Sequence, residues 1–530
     1  MNTVTNSPVT FALVARVNRT MLATWTIAIV GLVAGATAGI AGLYPTALDR
    51  AAYAAVSSTV TVGHALNGPP VALTTLGGIT VFEAGWYVAL AVAAFAIVLV
   101  ARNSRGAEES GRLELLRSCA LGTHSMLVSV TGLSLLSNLV IGTGAAAALV
   151  IFGADLTGAV VYGGALAAIG IFFTAVTALA AQITESTRGT YAIAGGVLGA
   201  SFAVRAVGDA TGNSTISWFS PLGWAQASHP FDSNRWWPLL VCVGAAVLLF
   251  AAAMAVEARR DLGAGLVRPR PGNPTGGAFL ASPVGLALRL HRPAIIGWAA
   301  TALGLGAAFG AVGADAGRLG ESSEAMLDLI GGFGGGDLVD SYFAMTAVLL
   351  AVVAAGGALG GALRSRAEEQ TGRADILLAT ALSRPRWLTS HLAVAAATSV
   401  TVLVAGGLGM GVAHTVRTGE GSAIPRLVWA ALAHAPAVGL VLGIGVVLIG
   451  VIPRAASVVW IVFAGCAVAT ILGPTLRLPA AVMNLSPFEH TPRLPGPVEA
   501  GTAGALALMT ALAVALIACG FAGFRRRDIG

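Results

Sequence analysis

The chain has no lysine among its 530 residues and few charged residues of any kind. Because a phosphate-binding P-loop places a lysine after its glycines, the sequence cannot contain that motif in its usual form. Charged residues make up 10% of the chain, against roughly 25% in soluble domains, and the hydrophobic set makes up 56%. The composition therefore excludes a large soluble domain and predicts that most of the chain lies in lipid.

Cysteine is also scarce. The chain has four cysteines, and their spacing does not suit a metal site or a disulfide. They are Cys119, Cys242, Cys466 and Cys519. We interpret them as small apolar residues and expect no metal. The net charge of +6 and the pI near 9.6 do not indicate nucleic acid as a partner, because the arginines cluster at the ends of apolar runs. In that position they face anionic lipid head groups.

Uncharged apolar runs long enough to cross a bilayer recur along the whole chain. A hydrocarbon core about 30 Å thick needs roughly 20 apolar residues per helix. Twelve runs predict spans at 22–43, 85–101, 124–152, 157–183, 190–208, 238–256, 293–314, 342–363, 389–413, 427–452, 456–474 and 500–523. The predicted fold class is an all-α polytopic membrane protein with twelve transmembrane helices.

The arginines between these spans are distributed unequally. With the N-terminus inside, 22 arginines fall in inner segments and 7 in outer ones. Arginine accumulates in cytoplasmic segments of membrane proteins. The distribution therefore predicts that both termini are cytoplasmic.

Residues 268–283 are rich in proline and glycine and lack periodicity, which predicts a cytoplasmic linker between two six-helix halves, 1–267 and 284–530. Four landmarks recur in the same order in both halves. They are Arg16/Arg19 before Trp25 and Arg289/Arg292 before Trp298, the segments 105–116 and 366–377, the pairs Ser220/Pro221 and Ser486/Pro487, and the R-R-D-L/I-G runs beginning at Arg259 and Arg526. Halves of six spans each start and end on one side, so they are predicted to be parallel repeats.

The second landmark, R-x-x-E-x-x-G-R-x-E/D-L/I-L, lies in the inner segment after the second span of each half. Glu108 and Glu369 precede Arg112 and Arg373 by four residues, the favourable orientation for ion pairs on a helix face. Apolar residues form another side, so each segment predicts a short amphipathic helix at the inner membrane face. A charged loop that only follows the arginine bias would explain the arginines but not the matched carboxylates.

These segments, the Ser-Pro pairs and the R-R-D-L/I-G runs resemble ATP-binding-cassette (ABC) exporter permeases of the second superfamily. The resemblance covers nearly the whole chain and is strongest to twelve-span antibiotic or polyketide exporters of actinobacteria, the tetronasin type. It implies a permease in the bacterial plasma membrane that exports lipophilic antibiotics or drugs. It also implies a separate ATPase subunit in two copies, which binds ATP and Mg, while this chain binds no cofactor.

The resemblance further assigns roles to residues of the repeated landmarks. Coupling to the ATPase is implied for Arg105, Glu108, Glu109, Gly111, Arg112, Glu114, Arg366, Glu369, Gly372, Arg373 and Asp375. The Arg16/Arg19 and Arg289/Arg292 segments are implied to be interfacial helices, and Ser220, Pro221, Ser486 and Pro487 to belong to outer re-entrant helices. Glu109 matches Gln370, so the two coupling segments need not bind their partners equally.

A secondary multidrug transporter driven by an ion gradient is the main alternative. Such transporters usually place carboxylates or histidines within the bilayer as relays. Here the carboxylates nearest the spans fall at their ends: Glu83, Asp155, Asp209, Glu257, Asp315 and Glu499. This position disfavours proton coupling.

Two ionisable residues at membrane depth are weaker candidates for the substrate path. Arg205 near the end of the fifth span either extends to the head groups or faces the path. His434 precedes Pro436 in the tenth span, where it either binds a carbonyl freed by a kink or lines a cavity.

A membrane-embedded enzyme and a channel are the other two classes. An enzyme needs a catalytic cluster, and the outer segments offer only residues without a triad or metal spacing: His64, His229, Asp232, Glu489 and His490. A channel needs a repeated filter segment, which the sequence lacks. We therefore expect no catalytic residues and no metal.

Overall fold

The computed structural model describes residues 4–58, 67–118, 121–267, 277–313, 337–472, 479–497 and 501–527. Over these ranges the chain is helical and has no β-strand. It forms two compact units, Met1–Gly272 and Asn273–Gly530. Residues 268–276 of the predicted linker lie outside the described residues, and the predicted parallel relation of the halves stays a prediction.

Twelve of the described helices are long and apolar enough to cross a membrane. In the first unit they are α1 (Ser7–Leu43), α2 (Leu76–Glu109), α3 (Ser125–Ile151), α4 (Leu156–Ile183), α5 (Thr187–Asp209) and α6 (Trp237–Glu257). In the second they are α7 (Pro283–Gly313), α8 (Leu338–Gln370), α9 (Arg384–Thr418), α10 (Ala423–Val451), α11 (Pro453–Ile471) and α12 (Thr502–Arg526). The prediction of an all-α polytopic membrane fold with twelve spans is confirmed.

The helices extend well beyond the predicted spans. The first span, predicted to begin at residue 22, belongs to a helix that begins at Ser7, and α9 runs from Arg384 rather than from residue 389. Charged residues end an apolar run, but they do not end a helix, because arginine and glutamate have high helix propensity.

The arginine segments that precede the first span of each unit are not separate interfacial helices. Arg16 and Arg19 lie within α1, and Arg289 and Arg292 lie within α7, which continues through Pro293. No proline or glycine lies between Arg16 and Trp25, and α7 continues through both Pro293 and Gly297 although these residues often end a helix. Each arginine pair therefore belongs to the same continuous helix as the span that follows it.

In the first unit α2 and α4 are the central helices. In their most apolar stretches 72% and 83% of the residues are buried, against 22% in α1, α5 and α6. In the second unit α8 takes this position, with 67% buried. The helices α3 and α4 cross so closely at Gly142 and Gly163 that a Cβ on either would collide with the other's carbonyl oxygen. Small residues at such crossings allow backbone contact.

Short helices connect the spans. They are Ala47–Ser57, Arg112–Arg117, Ser214–Ser217, Pro221–Gln226, Ala278–Ala281, Arg373–Leu378, Ala480–Met483 and Pro487–His490. Four of them contain or adjoin the repeated landmarks, which makes these connections the candidate functional parts of the chain.

Candidate functional site

α2, and its counterpart α8, is followed by a glycine turn and a second, short helix. The first helix ends at Glu109 or Gln370, and the second covers Arg112–Arg117 or Arg373–Leu378. Between them Gly111 and Gly372 have φ values of 69° and 70°, which is left-handed backbone. Glycine adopts this conformation without a steric cost. The predicted short amphipathic helix is therefore interrupted by the glycine in both units.

The glycine turn also changes the ion pairs. Glu108 is bonded to Arg105 at 2.6 Å and to Arg260 at 2.5 Å, rather than to Arg112. The predicted pairs across four residues fail because they need an unbroken helix. Arg112 instead donates from Nε to the Ser110 hydroxyl at 3.0 Å.

The second unit repeats this arrangement with matched residues. Glu369 is bonded to Arg366 and to Arg527, both at 2.6 Å. Arg373 lies 3.7 Å from Glu368 rather than pairing with Glu369. We call Arg105, Glu108 and Arg260 the first charge cluster, and Arg366, Glu369 and Arg527 the second charge cluster. In each unit two separate landmarks of the repeat thus meet at one carboxylate.

The first charge cluster is buried and tied to two further segments. The Arg105 guanidinium is 0% exposed and donates to the carbonyls of Ala181, at the end of α4, and Ala264, after α6. Arg260 donates from Nε to the Gln182 side chain at 2.6 Å. A buried charge is stable only when it is paired and hydrogen-bonded. The cluster therefore joins the end of α2 to the C-terminal end of α4 and to the segment that follows α6.

The short helices beyond the glycine turns present exposed residues. Leu115 and its match Ile376 are each 73% exposed, whereas the neighbouring Leu113 and Ala374 are buried. We call Arg112, Glu114 and Leu115 the first patch, and Arg373, Asp375 and Ile376 the second patch; all six are exposed. Each patch therefore places one exposed apolar residue beside charged residues, at the same position in both units.

Glu109 and Gln370 differ in role as well as in charge. The Glu109 carboxylate accepts hydrogen bonds from the backbone N–H of Thr187, at 3.0 Å, and from its hydroxyl, at 2.5 Å. A carboxylate at the first residue of a helix satisfies an unpaired N–H and favours the helix dipole. Glu109 therefore attaches the first coupling segment to the start of α5.

The predicted coupling residues thus divide into buried cluster residues, turn glycines and exposed patch residues. Arg260 and Arg527 complete the two clusters, and the sequence did not indicate this role for them. Their repeated R-R-D-L/I-G runs were the available signal, but nothing in the sequence connected those runs to residues about 150 positions away.

Alanine at either turn glycine is expected to destabilise the protein. At Gly111 or Gly372 a Cβ in left-handed backbone costs about 1–2 kcal/mol, and asparagine, which tolerates this conformation, should cost less. Thermal unfolding of the purified variants measures the difference. Gly196→Ala is the control: it lies inside α5 with open space around it, so alanine there should stabilise by about 0.5–1 kcal/mol. Equal effects at the three glycines would contradict the turn geometry.

The Ser-Pro landmarks each begin a short helix. Ser220 accepts a hydrogen bond from the N–H of Leu222 and donates to the carbonyl of Ser201 at 2.7 Å. The Ser486 hydroxyl lies 2.7 Å from that of Thr470, before the helix Pro487–His490. Proline fits the first turn of a helix because that position needs no N–H donor. That these helices re-enter the membrane stays a prediction.

Two comparisons with known proteins are consistent with a transport role. Residues 280–525 match the family model described as "Multidrug efflux system permease Rv1217c, C-terminal domain". The "Multidrug efflux system permease protein Rv1217c" of Mycobacterium tuberculosis is 39% identical over 500 residues, which cover 93% of this chain and 89% of that protein. The chain belongs to the Rv1217c family of multidrug efflux permeases. It is a multi-pass membrane permease rather than an enzyme.

In this Rv1217c-family permease the Arg205 side chain is turned into the protein. It is fully buried, its guanidinium carbon lies 3.3 Å from the centre of the Trp86 ring, and it pairs with Asp209 at 3.3 Å. Stacking on an aromatic face and pairing with a carboxylate compensate for the loss of water. The arginine is therefore enclosed by protein, and whether it faces the substrate path stays a prediction.

His434 is also fully buried, between the two helical segments of α10, Ala423–Leu432 and Ala435–Val451. Its Nδ1 donates to the carbonyl of Ala430 at 3.0 Å. Pro436 removes a backbone donor at this break. The histidine stabilises the break, as the first of the two predicted roles requires.

The residues considered for catalysis do not form a recognisable site. His229 lies 3.8 Å from Asp232, and His490 hydrogen-bonds the carbonyl of Asn484 at 2.9 Å. Among the described residues no group of three or more histidines, cysteines or carboxylates could hold a metal. His64, Asp315 and Glu499 lie outside the described residues.

Proposed function

We propose that the chain is the membrane subunit of an ABC exporter that moves lipophilic antibiotics or drugs out of a bacterial cell. ATP hydrolysis takes place on a separate ATPase subunit, present in two copies, which holds the ATP and Mg. Both termini of the permease are cytoplasmic. The observation that carries the proposal is the pair of matched, exposed patches after α2 and α8, each next to a charge cluster built around a buried carboxylate.

A surface that transmits force to a span needs exposed contact residues and a stiff attachment. Leu115 and Ile376 provide the apolar contacts, and the charges beside them provide complementarity and orientation. The charge clusters provide the attachment, because a buried, multiply bonded carboxylate holds the coupling segment to the ends of neighbouring spans. The patches are therefore suited to transmit motion of a bound ATPase to the helices.

The alternative is a secondary transporter driven by an ion gradient. Three of the span-end carboxylates have partners in the described part of the chain: Asp209 with Arg205, Glu257 with His124 at 2.7 Å, and Glu83 with the Tyr53 hydroxyl. These pairings favour a structural role for the carboxylates over a proton relay.

The decisive experiment combines co-purification with transport. The tagged permease is purified from its native host, and its partners are identified by mass spectrometry. The complex is then placed in vesicles, and efflux of a fluorescent lipophilic drug is measured with ATP, without ATP, and with a proton or sodium gradient alone. We expect an ABC ATPase to co-purify and efflux to require ATP. Efflux by the permease alone on an ion gradient would overturn the proposal.

A further inference from the structure

The first unit contains an apolar cavity beside the buried pair of Arg205 and Asp209. The rings of Phe82, Trp86 and Tyr162 form its walls, together with aliphatic residues of α2 and α4. We propose that this cavity binds an uncharged aromatic group of the transported molecule. The inference rests on the proposed export function, because it assumes that the bound molecule is transported. The cavity itself lies within the first unit.

The size of the cavity suits a ring system. The cavity has a volume of about 90 Å³, whereas a single water needs roughly 10–15 Å³. Small residues create the space, among them Gly85, Ala89 and Ala165. A planar group of one or two rings fits, in contact with walls that favour aromatic stacking.

The position of the Trp86 ring is fixed from behind. The Arg205 guanidinium covers the ring at 3.3 Å, and Phe202 contacts it edge-on with 5.7 Å between ring centres. A wall that is already ordered binds a ligand without a further loss of side-chain entropy. Because Asp209 balances the charge of Arg205, the wall presents an aromatic face with no net charge behind it, which favours an uncharged ligand.

Polar groups lie at the rim, where the cavity meets a second one of about 580 Å³. Pro69, Gln226 and His229 line both cavities. Burial, followed by the nearby Arg235, lowers the pKa of His229, and Asp232 only partly opposes this shift. The imidazole is therefore neutral at pH 7, so the rim offers hydrogen bonds without charge to a polar substituent of the ring.

The loop that forms this rim has a strained backbone. Phe231 has a φ value of 66°, which is unfavourable for a bulky side chain, while His229 and Asn234, whose residue types tolerate left-handed backbone better, have φ values of 45° and 46°. The loop is held by hydrogen bonds from Arg235 to Ser228, at 2.7 Å, and from Asn234 to His229, at 3.0 Å. Strain of this kind concentrates at ligand sites, and here it lies at the entrance to the cavity.

Photolabelling with benzophenone, an uncharged two-ring molecule, tests the site directly. The purified permease in lipid nanodiscs is irradiated with benzophenone, and the adducts are mapped by mass spectrometry. We expect adducts on the cavity residues of 78–89 and 222–230, and we expect excess naphthalene to remove them. Adducts confined to other regions would overturn the proposal without any need for a variant.

Gly85→Leu is the matching variant. A Cβ at Gly85 lies 3.4 Å or more from its neighbours, so the backbone need not move, while the rest of the leucine fills the cavity. Labelling should fall about tenfold or more, since a single misplaced methylene in an apolar pocket changes binding roughly 10- to 200-fold. Gly196→Leu, in open space on α5, should label as the wild type does. Equal labelling of both variants would contradict the site.

Two further results separate the proposals from each other. If a phospholipid with a photoreactive acyl chain labels the same residues and naphthalene does not compete, the cavity holds lipid and the inference fails. If benzophenone labels the cavity but efflux does not depend on ATP, the binding site is supported and only the exporter proposal fails. ATP-driven efflux with no cavity labelling overturns the inference and leaves the export function intact.

Discussion

Arginine in place of Glu108 or Glu369 is expected to lower the free energy of unfolding by about 3–5 kcal/mol at each site, the usual effect of breaking a buried ion pair. Glu108 and Glu369 are 5% and 2% exposed, and each bonds two arginines. The substitution places three cations together with no counter-charge. Thermal and denaturant unfolding of each variant in detergent measures the change.

The controls for this prediction lie a few residues away. Glu114→Arg and Asp375→Arg reverse the charge of exposed carboxylates in the same segments, so the free energy of unfolding should change by about 0.5 kcal/mol or less. Exchanging the charges in one chain, with Glu108→Arg and Arg260→Glu together, should recover part of the loss, because Arg105 and the new pair can bond again. If the double variant is as unstable as the sum of the single ones, the first charge cluster does not act as a unit.

The second prediction concerns the patches and tests coupling rather than stability. Leu115→Asp and Ile376→Asp together are expected to weaken ATPase binding by about 2 kcal/mol, or roughly 30-fold, and to lower ATP-driven efflux correspondingly. The physical reason is that each leucine or isoleucine is the largest exposed apolar group of its patch, and a carboxylate there would remain solvated. Membrane insertion and the unfolding temperature should not change, since both side chains are 73% exposed in the free permease.

Leu485→Asp is the matched control for the patch variants. Leu485 is 78% exposed but lies outside both patches, so ATPase binding should be unaffected. Titration of the ATPase against the permease in nanodiscs measures the affinity. The single patch variants should differ from each other, because Glu109 attaches the first segment to α5 while the matched residue is Gln370. Wild-type binding by the double variant would show that the ATPase docks elsewhere.

The positions of the coupling segments could be predicted from the sequence, but their ion pairs could not. Their positions, their charges and their duplication were visible in one chain, because self-comparison needs no structure. The pairing of those charges was not, because it depended on whether the helix continued through Gly111 and Gly372. A glycine inside a helical pattern is tolerated or ends the helix according to its surroundings, so its φ value had to be observed.

The partners of Arg205 could not be predicted from the sequence either, for a different reason. A charged residue near the end of a span reaches water or finds buried partners, and both outcomes are compatible with the same local sequence. The partners here are Trp86 on α2 and Asp209 one turn further along α5. The carboxylate is close in sequence, but the aromatic ring is brought in by helix packing.

The sequence by itself determined the number of spans and the all-helical class. A run of about 20 apolar neighbours is a local property, and it is enough to make a helix that crosses the hydrocarbon core. It also determined that the chain has no P-loop of the usual form. Only the tertiary structure decided which residues complete the charge clusters and which rings surround the cavity. Those contacts join segments such as Glu108 and Arg260, 152 residues apart, and electrostatic and packing energies depend on distances in space that no local pattern encodes.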